Sequence, residues 1–485
     1  MRLSAIKNIA SYGVALCIMK GTSLLMLPLI TRYLSPTEYG QLELLTITSS
    51  FIALLTCCSL HEALYRFALH DKKNESFERV EYKANQIFTI TQLVSLGLML
   101  GIGFTALCFY QSVEALLSHY HLQLKDIVIL SLSLCIGGSL SIGLAWLRMK
   151  DDIKNFVVIS ITTTLIQALC VLLLLEYGYG ITGVLLAGLF THLMQWFWVT
   201  KTSGLQFVTP TRLLFSLTMK YTIPLTASTL VAFGLNGAER WLVLASSDLE
   251  TLGQYAIASK FALAACILMQ PFGMWWMPKR FAMLNSDVSM TERISLLGIV
   301  LIGVIIISVA ATSQLLLTFV LTTDYQFAIT FILGTLFMVL GKEMAELINL
   351  GILYQKQTNT LFAINSATTI IGISGCVFFL DLGVWAVMII IGVFQLIKAL
   401  SVFYYSQRAF HVFSHAKILI AVPVISACSL FGIYCASSPV MVSVIALIAL
   451  LLFLTMALTL TSPEHRITLR RALSQAIRRS GFAHD

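Results

Sequence analysis

The sequence predicts an all-α polytopic membrane protein with about 14 transmembrane helices, and three observations carry that reading. Charged residues make up only 11% of the 485 residues and hydrophobic ones 58%, whereas a soluble domain carries about 25% charged residues. Apolar runs near the roughly 20 residues needed to cross a bilayer recur from Ala10 to Thr461. The basic residues gather in alternate connections between those runs, as the positive-inside rule requires. A soluble globular class is excluded. The net charge of +8 is spread through short loops, which argues against nucleic-acid binding.

In order, the spans are read at 10–33, 41–64, 87–110, 124–147, 156–175, 180–200, 216–238, 252–277, 295–320, 327–352, 358–379, 383–405, 417–435 and 440–461. Arg2 and Lys7 precede the first, no small-residue cleavage pattern follows and Lys20 interrupts the run, so it reads as a retained helix. With the N-terminus inside, cytoplasmic segments hold 23 of the 31 Lys and Arg, and the outward loops hold only Arg32 and Lys125. One helix more or fewer would invert every later loop and destroy that segregation. The longest outward connection, 111–123, reads as a loop, and Gly178 to Gly183 as a tight outward turn rather than a dinucleotide fingerprint, since no βαβ unit surrounds it. Pro224, Pro271 and Pro278 are candidate kinks in or beside helices seven and eight. The tail, with Arg466, Arg470, Arg471, Arg478 and Arg479, is basic and cytoplasmic.

A weak internal repeat divides the chain. Arg32-Tyr33-Leu34 followed by Gly40-Gln41 is echoed by Arg240-Trp241-Leu242 followed by Gly253-Gln254, and Gly180 by Gly383. Six helices per half is even, so the halves enter the membrane in the same sense, as parallel repeats. The expected domains are an N-terminal lobe at 1–203, a C-terminal lobe at 204–410, helices 13 and 14 at 411–461 and the tail at 462–485.

Lys20, Lys220, Arg240, Lys260, Lys342 and Lys398 lie within or at the edge of helices, where a cation at the centre costs about 2.5–3.5 kcal/mol. Lys220, Arg240 and Lys398 are within snorkelling reach of an end. Lys20 and Lys260 lie deep in apolar sequence, so a protein-lined or aqueous passage is expected around them. The intramembrane acids counted against them are Glu62, Glu343 and Glu346, which leaves a positive passage suited to an anionic substrate. Lys342 and Glu346 have ion-pair spacing, with Asn349 on their face, and so do Glu62 and Arg66. Glu343 and Glu346 are the candidate proton- or sodium-sensitive carboxylates, with Glu62 beside them. Gly334 to Gly341-Lys342-Glu343 has the wrong spacing for a phosphate-binding loop, and no nucleophile–base pair is legible. The ten cysteines fall in apolar segments without C-x-x-C pairs, so no metal or cofactor is expected. These features describe a secondary transporter rather than an enzyme.

Pro28-Leu-Ile-Thr-Arg32-Tyr-Leu-Ser-Pro36-Thr-Glu-Tyr-Gly40, Ala63-Leu-Tyr-Arg66-Phe, Gly180-Ile-Thr-Gly183 and Gly253-Gln-Tyr-Ala-Ile-Ala-Ser-Lys260 resemble Wzx-type polysaccharide repeat-unit flippases. These belong to the multidrug/oligosaccharidyl-lipid/polysaccharide exporter (MOP) superfamily. The resemblance implies an undecaprenyl-pyrophosphate-linked oligosaccharide as substrate, moved between the leaflets of a bacterial inner membrane by alternating access for O-antigen, lipopolysaccharide or other surface polysaccharide. It also implies cytoplasmic termini, and a polymerase and chain-length regulator as partners. Lys260 stands where the flippase pattern places a cation, and Lys20 where a first-helix cation is common. The alternatives are a drug or cation antiporter of the same superfamily, and a membrane polysaccharide polymerase.

Overall fold

The computed structural model describes residues 18–67, 77–150, 152–277, 279–320, 323–355 and 357–460. Arg2, Lys7, Lys72, Lys73, Pro278, Lys356, the basic tail and the Arg66 side chain lie outside the described residues. All the regular structure described is helical. The helices are α1 (Ile18–Ile30), α2 (Pro36–Cys57), α3 (Leu60–Phe67), α4 (Phe77–Cys108), α5 (Tyr110–His119), α6 (Leu124–Met149), α7 (Ile153–Glu176), α8 (Gly180–Ser203), α9 (Arg212–Gly234) and α10 (Glu239–Ala245). They continue as α11 (Leu249–Trp276), α12 (Arg280–Ser286), α13 (Val288–Val320), α14 (Gln326–Ile348), α15 (Leu350–Tyr354), α16 (Thr358–Phe378), α17 (Val384–Ala409), α18 (Lys417–Tyr434) and α19 (Pro439–Leu460). Among the described residues twelve helical stretches are long and apolar enough to cross a membrane, so the chain is a multi-pass membrane protein. Helices α1 and α9 occupy the first and seventh predicted spans but are not among the twelve.

Of the boundaries that differ from the sequence reading, three have a clear local reason. Helix α2 starts at Pro36 rather than 41 because Ser35 and Glu38 form a capping box: the Glu38 amide donates to Ser35 Oγ at 3.3 Å and the Ser35 amide to Glu38 Oε2 at 2.8 Å. Proline at the first helical position adds a preset φ. Helix α4 begins at Phe77, ahead of the predicted 87, because its first turns are polar and hydropathy does not register them. The connection read as loop 111–123 contains α5. The turn at Gly178 to Gly180 is as expected, with φ of 78° and 52° at the two glycines, conformations that glycine adopts without strain.

By packing, the chain forms two compact units. The first comprises residues 1–260, 320–328 and 373–387, the second 261–319, 329–372 and 388–485. In the first unit α6 packs along α8, α4 and α2. Between α2 and α3 the backbone turns left-handed at two successive non-glycine residues, Cys58 (φ 44°) and Ser59 (φ 47°), at a cost of about 1–2 kcal/mol each. Both are buried, and Thr226 of α9 donates to Ser59 Oγ at 3.3 Å. Ser95 of α4 donates to the Thr56 carbonyl at 3.1 Å, satisfying a group freed by the break.

The positions echoed in the sequence meet in this unit. A Cβ on Gly40 would lie 1.8 Å from the Leu249 carbonyl oxygen, and one on Gly253 would lie 2.0 Å from that of Pro36, so α2 and α11 touch backbone to backbone. Gln41 donates to the Tyr120 carbonyl at 3.2 Å, and its echo Gln254 donates to the Asp324 carbonyl and accepts from the Ala328 amide at 3.0 Å. Each glutamine therefore grips the outward-assigned connection of its own half. Tyr325 donates to the Leu34 carbonyl at 2.8 Å and meets Tyr39 edge-on.

In the second unit α14 and α17 also touch through backbone: a Cβ on Gly341 would lie 2.5 Å from the Gln395 carbonyl carbon. Glu292 of α13 holds the segment before α18, accepting from the Ser414 and His415 amides, each at 2.6 Å, and lying 3.1 Å from His415 Nδ1.

Candidate functional site

In the first unit, Lys20 and Lys220 are exposed and Lys260 is half-buried. Among the described residues none of these three has a carboxylate within 4.0 Å. Arg240 is placed differently. Its Nε lies 2.5 Å from Glu43 Oε1 on α2, its Nη1 is 3.3 Å from Glu239 Oε1 on α10, and its Nη2 donates to Ser259 Oγ of α11 at 3.2 Å. Glu43 is 6% exposed and Glu239 5%. One guanidinium thus sits between two buried carboxylates, and Arg240 has no charge left for a substrate anion. Tyr39 and Tyr255, both buried, complete the surroundings.

Glu43 is the residue the sequence reading missed. The assumed helix start at 41 left it at a helix end, and the usable signal was the Ser35-Pro36-Thr37-Glu38 cap, which places Glu43 two turns inside α2. Counting Glu43 and Glu239 lowers the positive excess of the intramembrane set. Glu62 is exposed and lies 3.5 Å from its neighbour His61. Beside the Arg240 cluster is a cavity of about 410 Å³ lined by Leu44, Thr48, Leu117, Leu134, Trp241 and Leu244, which is apolar and contains none of the predicted cations.

In the second unit, the Gly341–Gln395 contact brings Lys342, Glu343 and Glu346 of α14 to the turn of α17 that carries Lys398. Glu346 acts electrostatically on Lys398 and on Arg280, and Arg280 also donates to Asn349 Oδ1 at 3.3 Å. Burial lowers the Arg280 pKa, and Glu346 opposes that shift. No ion pair within 4.0 Å joins Lys342 to Glu346, despite their spacing. Glu343 lies beside the Cys266 thiol. Among the described residues no three His, Cys, Asp or Glu side chains group as metal ligands.

A membrane-spanning helical fold with charged clusters inside its units marks a functional path rather than inert packing. Solved structures share the fold. The chain is similar to the lipid II flippase MurJ in an inward closed conformation, at 16% identity and a TM-score of 0.67, over 91% of this chain and 97% of that one. It is similar to an inward-facing multidrug resistance MATE transporter of the MOP superfamily at 12% identity and a TM-score of 0.59, over 86% and 98%. A third similar structure is a MOP superfamily transporter from Pyrococcus furiosus, at 13% identity and a TM-score of 0.56, over 83% and 95%; its binding pocket is described as reversed in polarity, suggesting a different function. No curated protein matches the sequence. The family model for polysaccharide biosynthesis proteins matches residues 5–284, more than half of the chain, and the chain belongs to that family.

Proposed function

We propose that this protein is a flippase that moves undecaprenyl-pyrophosphate-linked oligosaccharide repeat units from the cytoplasmic to the periplasmic leaflet of a bacterial inner membrane by alternating access. The observation that carries the reading is a polysaccharide-biosynthesis family match on a fold shared with a lipid flippase. A pyrophosphate needs cations in an otherwise apolar passage. Lys260 and Lys20, with Lys220, have no carboxylate within 4.0 Å among the described residues, which supports them as such cations, and Lys342 and Lys398 of the second unit are assigned beside them. Arg240 leaves the anion-binding set because Glu43 and Glu239 already hold it. Glu343, Glu346 and Glu62 are assigned to ion coupling, and the product feeds a polymerase and chain-length regulator.

Orientation is supported by cations that lie over aromatic rings at the helix ends assigned to the cytoplasm: Arg148 over Phe156, Lys150 over Trp146, Lys279 over Trp275 and Arg408 over Tyr404. This is interfacial anchoring chemistry. The drug-antiporter reading calls for an acidic residue in the first or seventh predicted span; the first carries Lys20, and Glu239 at the end of the seventh is paired with Arg240.

The test is the leaflet in which lipid-linked oligosaccharide accumulates in a bacterium lacking this chain, read with a glycan-binding probe added from the periplasmic side. Inaccessible material, made accessible by restoring the chain, is expected. Accessible but unpolymerised units would reject the flippase and favour the polymerase reading.

A further inference from the structure

The connection between α8 and α9, which joins the two sequence repeats, is bound along the first turns of α4. The Gln206 amide donates to Asn85 Oδ1 and the Val208 amide to Thr89 Oγ1, each at 3.0 Å, and Gln86 Nε2 donates to the Thr209 carbonyl at 3.5 Å. Phe207 packs on Phe88 with ring centroids 5.0 Å apart. This strap fixes the start of α9 beside α4. Between the two helices lies a cavity of about 490 Å³ lined by Phe67, Arg79, Tyr82, Lys83, Leu213 and Leu217.

The lining has two chemically distinct parts. Arg79, Tyr82 and Lys83, at i, i+3 and i+4, form one stripe of α4, so both cations face the same space. Leu213 and Leu217, one turn apart on α9, form an apolar lip that is 72% and 45% exposed. Glu81, between the cations in sequence, is held elsewhere, with its Oε1 3.6 Å from Lys150 Nζ. Among the described residues Arg79 has no carboxylate within 4.0 Å. The cavity therefore presents positive charge beside exposed hydrocarbon.

Its depth matches that chemistry. At 1.5 Å per residue, Lys83 and Arg79 stand about 6 and 12 Å along α4 from Ile87, where the apolar sequence begins. The headgroup layer of one leaflet is about 5–8 Å thick. Lys83 is thus at the level of lipid phosphates, and Arg79 lies just beyond it, within reach through its long side chain.

We propose that this cavity is a binding site for one anionic phospholipid of the cytoplasmic leaflet, with its phosphate on Arg79 and Lys83 and its acyl chains over Leu213 and Leu217. Basic pockets between membrane helices on the cytoplasmic side take lipid headgroups in this manner. A resident of the leaflet reaches the site from the side, without entering a passage between lobes. The inference rests on the orientation assigned from loop charge and not on the identity of the transported substrate.

The experiment is native mass spectrometry of the full chain, purified in detergent and titrated with phosphatidylglycerol or with phosphatidylcholine. In detergent the result does not depend on orientation. The wild type is expected to hold one phosphatidylglycerol more tightly than further copies, and more tightly than phosphatidylcholine. R79A/K83A should weaken that first affinity by roughly thirtyfold. Leu217→Trp, which fills the cavity and keeps both cations, should weaken it too. R148A/K154A, which removes two exposed cations elsewhere in the same unit, should not. Undiminished affinity in R79A/K83A or in Leu217→Trp, an equal loss in R148A/K154A, or equal binding of the two lipids would each overturn the site. Displacement of the bound lipid by millimolar inorganic phosphate would make this a site for a free anion, and displacement by an equimolar polyprenyl diphosphate would make it a loading site for the transported substrate. Either result would overturn the phospholipid assignment. Should R79A/K83A not fold, Leu217→Trp and the two competitions decide.

Discussion

Replacing Gly40 by alanine tests the backbone contact between α2 and α11. The new methyl would lie 1.8 Å from the Leu249 carbonyl oxygen and 3.2 Å from the Gly253 nitrogen. Reaching even a tight contact needs a separation of more than about 1 Å, and both offending atoms are backbone, so no rotamer change can relieve it. Overpacking of this kind costs about 1–3 kcal/mol, and alanine's helix propensity returns up to about 1 kcal/mol, for a net loss of up to about 2 kcal/mol when that gain is fully realised. Gly97 of α4 provides the control, since nothing lies within 4 Å of its would-be Cβ. Gly97→Ala should gain up to about 1 kcal/mol. The assay is thermal unfolding of the two purified variants beside the wild type: Gly40→Ala should melt lower and Gly97→Ala no lower. A Gly40→Ala protein that melts with or above Gly97→Ala would refute the contact.

Two further outcomes follow from the charged residues. Lys260→Ala, and to a smaller degree Lys20→Ala, should abolish translocation while membrane insertion stays normal, with glutamate worse than alanine at either site; equal transport by the alanine and glutamate variants would reject an anion site. Glu343→Gln and Glu346→Gln should change the pH or sodium dependence of transport, measured in vesicles, and a profile identical to wild type would make these carboxylates structural.

Hydropathy located the membrane helices well because a span is set by apolar length, which composition displays directly. It failed where a helix continues into polar sequence, as at Phe77, and where a short amphipathic helix such as α5 occupies a connection. Charge spacing was a weaker guide. Lys342 and Glu346 are one turn apart, yet no ion pair joins them, and Glu346 acts on Lys398 and Arg280 from other helices. Spacing along one helix states what can meet, but packing against α17 and α12 decides what does. Glu43 shows the same limit: its partner Arg240 is almost 200 residues away, and only the fold brings them together. The matching pairs Gly40-Gln41 and Gly253-Gln254 stood out in the sequence because a backbone contact tolerates no side chain and a loop-gripping amide needs a particular one.

The left-handed step at Cys58–Ser59 has a mechanical consequence. An unbroken α-helix passes twist and thrust along its hydrogen-bond ladder, so turning one end turns the other. The ladder of the second span is cut between α2 and α3, leaving a wrist. α2 and α3 are thus joined by a turn rather than by a continuous ladder, and α3 has its own seat against α4 and α6.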